Sequence, residues 1–167
     1  MHANAIRRLL SSAIAAALLS APSAAFAQNP LHDAQYKSLR GLSELTLLVT
    51  PPDKPDAAVV STLGLDAKTI GDAMTIGFAM HASKLHVGNQ TRADKPYLEV
   101  SWSGTAAAVS LSLSLWRLAR VDDSNERTPV VVWERRRLLV APTPEAIRSA
   151  LDGFAAAFGA DYERASR

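Results

Sequence analysis

The chain has 167 residues, with 18 lysines and arginines against 16 aspartates and glutamates, and it has no cysteine. This length fits a single domain that buries its core without disulfide bridges or a structural metal. The near balance of charges argues against a basic nucleic-acid-binding protein, and the lack of a thiol excludes a lipoprotein anchored through cysteine.

The first 27 residues have the layout of a secretory signal peptide. Arg7 and Arg8 precede an apolar run, residues 9–20, and Ala25 and Ala27 supply the small side chains of a cleavage site after Ala27. The run is shorter than the roughly 20 residues of a membrane span. We therefore predict cleavage, export to the bacterial periplasm or beyond the cell, and a mature form without a membrane anchor. Removing 27 of 167 residues and both arginines leaves 140 residues with 16 basic and 16 acidic side chains, which is formally neutral.

The mature chain is predicted to begin with a polar lead-in, residues 28–40. A single domain, residues 41–163, follows and leaves a short tail, residues 164–167. Residues 42–49 have the apolar content of a strand. The three prolines within residues 50–56 predict a loop after this strand, because each proline lacks a backbone donor.

Two amphipathic helices are predicted. The first begins at Asp66, a capping residue, and ends near Lys84, and apolar residues recur within it at intervals of three and four. The second begins at Thr143, another capping residue followed by proline, and ends at Tyr162. Each helix has an apolar stripe that must be covered, and a sheet is the element large enough to cover both.

Four further strands lie between the helices, at residues 85–87 and 97–102 and in a hairpin of residues 106–121 with residues 128–140. The stretch VSLSLSLW, residues 109–116, alternates leucine and serine, which is typical of a strand with one buried face. We expect its leucines to face the helices. We also expect it to be central, because a segment of such low charge at a sheet edge promotes aggregation.

The order of these elements predicts an α+β fold. It is a two-layer sandwich, in which a mostly antiparallel sheet of about five strands carries both helices on one face. The first strand-helix-strand unit can form a crossover that places its two strands parallel. The later strands are expected to meander.

A cluster of tryptophan and arginine spans the predicted hairpin. Strand alternation places Trp133, Arg135 and Arg137 on one face of their strand, and Trp116 and Arg117 lie near the end of the preceding strand. In one interpretation the arginines are solvated and their stems cover an open sheet face. In the other, the five residues form an exposed patch that binds a protein, a glycan or an anionic envelope polymer. The second interpretation predicts that replacing Trp133 and Arg135 together abolishes partner binding and leaves the far-ultraviolet circular dichroism unchanged.

The sequence contains no motif for catalysis, for a metal or for a cofactor. His81 and His86 lack the further converging ligands of a zinc site, and the acidic residues 122–126 lack the spaced ligands and the glycine of a calcium loop. No serine stands in a G-x-S-x-G turn, and no nucleophile, base and orienting group can be matched. We therefore expect no metal, no cofactor and no enzymatic activity.

The leading hypothesis is an exported, non-catalytic periplasmic binding or adaptor domain. It would be accessory to an envelope assembly and would bind an envelope or periplasmic protein through an open sheet face or a strand edge. A second hypothesis is a small-molecule carrier with a pocket between the helices and the sheet, lined by Met74, Phe78, Phe154 and Phe158. An ordinary core explains the same four residues. A third hypothesis is a hydrolase without a recognisable motif.

Overall fold

The computed structural model describes residues 30–88, 95–120, 122 and 126–167, with side chains from Ala34 onward. The predicted signal peptide, residues 1–27, lies outside the described residues. The chain divides after Asp33 into two units, and the second, Ala34–Arg167, contains the sheet and the two long helices. Leu39, within the predicted lead-in, is fully buried and belongs to the core of this unit.

The elements are α1 (Pro30–Lys37), β1 (Glu44–Thr50), α2 (Ala57–Leu63), α3 (Ala67–His81), β2 (His86–Gly88), β3 (Tyr97–Thr105), β4 (Ala108–Arg120), β5 (Arg127–Val140) and α4 (Pro144–Ala165). The predicted order of strands and long helices is confirmed. The short helix α2 was not predicted from the sequence. Asp56 caps it by accepting a hydrogen bond from the amide of Ala58 at 2.9 Å, and Gly64 ends it with a φ of 65°.

Within the described part of the chain, five strands form one mixed sheet in the order β2-β1-β3-β4-β5. β1 is parallel to both of its neighbours, β2 and β3, and the remaining two pairs are antiparallel. The α+β class and the parallel β1–β2 pair are confirmed. The sheet is mixed and not fully antiparallel, because β3 pairs in parallel with β1 instead of continuing a meander from β2, which has only three residues.

β4 contains the VSLSLSLW segment and lies between β3 and β5, as predicted. Leu111, Leu113 and Leu115 are fully buried, and each burial stabilises the fold by about 2 kcal/mol. Ser110 and Ser112 point to the opposite side of the sheet and are half-buried. We call this opposite side the serine face.

α4 packs against both β5 and α3. The ring of Phe158 lies edge-on to Trp133, with centroids 5.1 Å apart, and edge-on to Phe78, with centroids 5.6 Å apart. The next residue, Gly159, is in close contact with the end of α3, since a Cβ atom at this position would lie 2.1 Å from the carbonyl oxygen of His81. The two helices therefore meet at a point where only glycine fits.

Both predicted N-caps are present. The Asp66 carboxylate accepts a hydrogen bond from the Thr69 hydroxyl at 2.7 Å and one from the Thr69 amide at 2.9 Å. These two bonds, the hydroxyl first, hold the pKa of Asp66 below its ordinary value. At the start of α4, the hydroxyl of Thr143 accepts a hydrogen bond from the amide of Ala146 at 3.2 Å.

Thr143→Ala is expected to lower the free energy of unfolding by about 1 kcal/mol, because it leaves the amide of Ala146 without its acceptor. Urea denaturation followed by circular dichroism measures this change. Thr143→Ser keeps a hydroxyl and is the matched control, with an expected change of only a few tenths of a kcal/mol. An equal loss in both variants would show that the hydroxyl does not act as a cap.

Candidate interaction surface

Trp133 is not part of an exposed patch. It shares its side of the sheet with the buried leucines, as alternation predicts, and is 0% exposed because α4 covers it. Its indole Nε1 donates a hydrogen bond to Oδ2 of Asp161 at 3.0 Å. The prediction of an exposed tryptophan anchor is therefore wrong. Replacing Trp133 together with Arg135 would remove a core ring and would not test binding in an intact fold.

Arg135 is held by the residues around it. Its Nη2 donates to Oδ2 of Asp161 at 2.7 Å, its Nη1 donates to Oε1 of Gln35 at 3.0 Å, and its guanidinium lies 4.9 Å from the centroid of Trp133. Asp161 is itself buried. This cluster joins β5, α4 and the last turn of α1, which contains Gln35, so its contacts give Arg135 a structural role.

Trp116 and Arg117 have contacts other than those of the Trp133–Arg135 cluster. The indole of Trp116 stacks on Tyr97 with centroids 5.9 Å apart, and its Nε1 donates to the carboxylate of Glu99 at 2.9 Å. Arg117 donates through Nη1 to the carbonyl oxygen of Ser38 at 2.6 Å. The structure thus brings together only Trp133 and Arg135 of the five predicted residues. A binding role for the other three residues stays a prediction.

The serine face is a polar surface whose side chains bond to one another. The hydroxyls of Ser101 and Ser112 are 2.7 Å apart. Ser114 donates to Oε1 of Glu134 at 3.2 Å, and Arg136 donates to the same oxygen at 2.9 Å. Next to this network, burial and then the charge of Glu99 raise the pKa of Tyr97. These bonds engage hydroxyl, carboxylate and guanidinium groups of the serine face with one another.

One part of the β5 edge is already covered. The hydroxyl of Ser38 donates to the carbonyl oxygen of Val132 at 3.1 Å. The side chain of Arg135 donates to the carbonyl oxygen of Glu134 at 3.0 Å. The segment after α1 and an arginine side chain thereby engage the backbone acceptors that point away from the sheet at these positions.

The neighbouring part of the edge, residues 136–140, has outward backbone groups. The amide of Ala141 donates to the carbonyl oxygen of Ala107 at 2.8 Å, which fixes the phase of the β4–β5 ladder. Residues that bond to the neighbouring strand alternate with residues whose N–H and C=O groups point away from it. Leu138 and Val140 are therefore outward-facing, and no hydrogen bond from another described residue engages their outward groups.

Two of the same five residues carry exposed apolar side chains. Leu138 is 67% exposed and Val140 is 77% exposed, and both point to the serine face opposite Ser110 and Ala108 of β4. We call residues 136–140 the docking strip. The sequence did not indicate the docking strip, because apolar residues 138–140 are equally compatible with an inner strand. Only the order of the strands shows that β5 lies at the edge.

Neither His81 nor His86 belongs to a group of potential metal ligands within the described residues. Nε2 of His81 lies 3.1 Å from Oδ1 of Asp152, and His86 lies on a separate element, β2. Within the described ranges there is no group of three or more His, Asp or Glu side chains that could hold a metal ion. The acidic residues 122–126 lie largely outside the described residues.

The four residues predicted to line a carrier pocket belong to the hydrophobic core. All four side chains are buried members of the core: Met74, Phe78, Phe154 and Phe158. An open cleft of about 630 Å³ lies elsewhere, between α3 and the strands β1 and β2. Its lining includes Leu47, Val49, Lys68, Asp72, Thr75, His86 and Val87. The membership of all four residues in the core favours the ordinary-core explanation of their spacing, and the carrier pocket stays a prediction.

Comparisons with known proteins give weak similarities. No protein-family model and no curated protein matches the chain. The crystal structure of an uncharacterized protein is 14% identical with a TM-score of 0.37, over 72% of this chain and 89% of that chain. Rare lipoprotein B from Shewanella oneidensis is 10% identical with a TM-score of 0.25, over 71% of this chain and 91% of that chain. Both TM-scores are too low to establish a shared fold. None of the helices in the described ranges combines the length and hydropathy that a membrane span needs.

Proposed function

We propose that the chain is an exported, non-catalytic binding or adaptor domain of the bacterial envelope, and that a protein partner adds a strand to its docking strip. The observation that carries this proposal is the coincidence of outward backbone groups with two exposed apolar side chains, Leu138 and Val140. A segment that pairs here gains backbone hydrogen bonds and covers apolar surface at the same time. The predicted signal peptide supports a partner in the periplasm or the envelope.

Other exposed apolar residues fit a partner less well. Ile76 and Met80 are exposed on α3, but a helix satisfies its own backbone and offers a partner only side chains. We also propose that α3 and α4 together cover the side of the sheet that carries the buried leucines. That arrangement leaves the serine face and the docking strip accessible to a partner.

Site-specific crosslinking in cells tests the proposal. A photo-crosslinking amino acid at Leu138 is expected to give one discrete adduct with an envelope protein, identified by mass spectrometry. Ile76 is 62% exposed, close to the value for Leu138, and is the matched control that should not give this adduct. No adduct at Leu138, or the same adducts from both positions, would contradict the proposal.

A further inference from the structure

We infer that the segment bound by the docking strip is acidic, an inference that rests on the proposed function. Three consecutive arginines, residues 135–137, lie in the strip or next to it, and two of them already have carboxylate partners. Arg135 pairs with Asp161 at 2.7 Å and Arg136 pairs with Glu134 at 2.9 Å. Arg137 is exposed and has no ion pair with any residue of the described ranges. It is the charge at the strip that a partner can neutralise.

The position of Arg137 defines where the partner's carboxylate must lie. Arg137 is opposite Leu111 of β4, on the side of the sheet that carries the buried leucines. Its Nη1 is 3.7 Å from the place where a Cβ on Gly153 of α4 would stand. An added strand would therefore place apolar side chains next to Leu138 and Val140 on the serine face. It would place a carboxylate next to Arg137 on the other face, since side chains alternate along a strand.

The docking strip accepts only a short segment. The carbonyl oxygens of Val132 and Glu134 are already engaged, as described above, so pairing stops at Arg136. At the other end, Ala141 leaves the extended conformation with a φ of 46°, and Pro142 lacks an amide donor. The partner segment thus lies along five residues of β5, and it can form backbone hydrogen bonds with the three that face outward, Arg136, Leu138 and Val140.

A second copy of this chain fits the strip poorly. Two docking strips paired antiparallel through all three outward residues would place Leu138 opposite its symmetry mate and Arg137 diagonal to its own mate. Diagonal neighbours lie about 7 Å apart, so two unpaired guanidinium groups would repel each other. An acidic segment replaces this repulsion with attraction. Charge therefore favours a different chain with carboxylates over self-association.

Two blocked heptapeptides test the inference. Both have valine at the third and fifth positions and threonine at the first, fourth and seventh, whereas the second and sixth positions are glutamate in one peptide and lysine in the other. This symmetric pattern offers a charge to Arg137 in either strand orientation. Titration into the mature protein, followed by amide NMR shifts, should show the glutamate peptide binding at residues 136–140 roughly fivefold or more tightly than the lysine peptide.

Three variants sharpen the test. Arg137→Glu should reverse the preference between the two peptides, and Leu138→Lys should abolish binding of both. Ile76→Lys, at an equally exposed site on α3, should change neither. Added salt should reduce the preference, because it screens exposed charges.

Several results would overturn the inference. Equal affinity for the two peptides at the strip would remove the acidic preference and leave strand addition standing. Shifts confined to other residues, or no binding of the glutamate peptide at millimolar concentration, would remove both the inference and the docking strip. Self-association that Leu138→Lys abolishes would identify a second copy as the occupant.

Discussion

Gly159→Ala is expected to lower the free energy of unfolding by about 3 kcal/mol, one of the largest effects of any single substitution in this fold. The added Cβ would lie 2.1 Å from the carbonyl oxygen and 2.7 Å from the carbonyl carbon of His81. These are backbone atoms at the end of α3, so the steric overlap can be relieved only if the two helices move apart. The higher helix propensity of alanine, worth about 1 kcal/mol, offsets only part of the cost.

The matched control for this substitution lies in the same helix. A Cβ on Gly153 would have its nearest contact 3.7 Å away, at the Arg137 side chain. Gly153→Ala should therefore stabilise the protein by about 0.5–1 kcal/mol through helix propensity alone. Urea denaturation of the two variants measures the contrast. If both alanines had the same effect, the close approach of α3 and α4 at Gly159 would be wrong.

Asp161→Ala is expected to destabilise the fold by about 2–3 kcal/mol. The substitution removes the acceptor for the Trp133 indole and the carboxylate partner of Arg135 in one step. Both groups lie in or next to the core, where unpaired polar atoms are costly. Asp161→Asn should have a smaller effect, because an amide oxygen can still accept from Trp133.

Denaturation curves for the Asp161 variants can be compared with those for Asp152→Ala in the same helix. The side chain of Asp152 is 58% exposed, and the variant should lose at most about 0.5 kcal/mol. Asp161→Ala should also loosen the last turn of α1, since Arg135 joins Gln35 in that turn to the same carboxylate. Faster limited proteolysis near Gln35 would report this loosening. Similar losses for the alanine variants at 152 and 161 would exclude the cluster as a stabilising element.

Local sequence signals predicted much of the fold. The alternation in β4, the caps at Asp66 and Thr143, and the apolar stripe of α4 depend on neighbouring residues alone, and the structure confirms them. The place of β3 beside β1 depends on contacts between segments distant in the chain, and no local pattern indicates it. α2 is too short to show a clear period, although Asp56 and Gly64 were available as signals for its ends.

The candidate site was harder to predict than the fold. Alternation correctly placed Trp133, Arg135 and Arg137 on one face, but it did not indicate that α4 covers this face at Trp133. The residues that became the docking strip, above all Leu138, needed the knowledge that β5 is an edge strand. The order of the strands decides which apolar side chains stay exposed. No local sequence pattern indicates that order, because it depends on pairing between distant segments.

The most direct test of the docking strip is the amide hydrogen exchange of residues 137–140, alone and with the glutamate heptapeptide. In the free protein, Leu138 and Val140 should exchange fast, whereas Arg137 and Leu139 should be protected by bonds to β4. The peptide should slow exchange at Leu138 and leave Ile76 unchanged. Slow exchange at Leu138 and Val140 in the free protein, or no slowing when the peptide is added, would contradict strand addition at this edge.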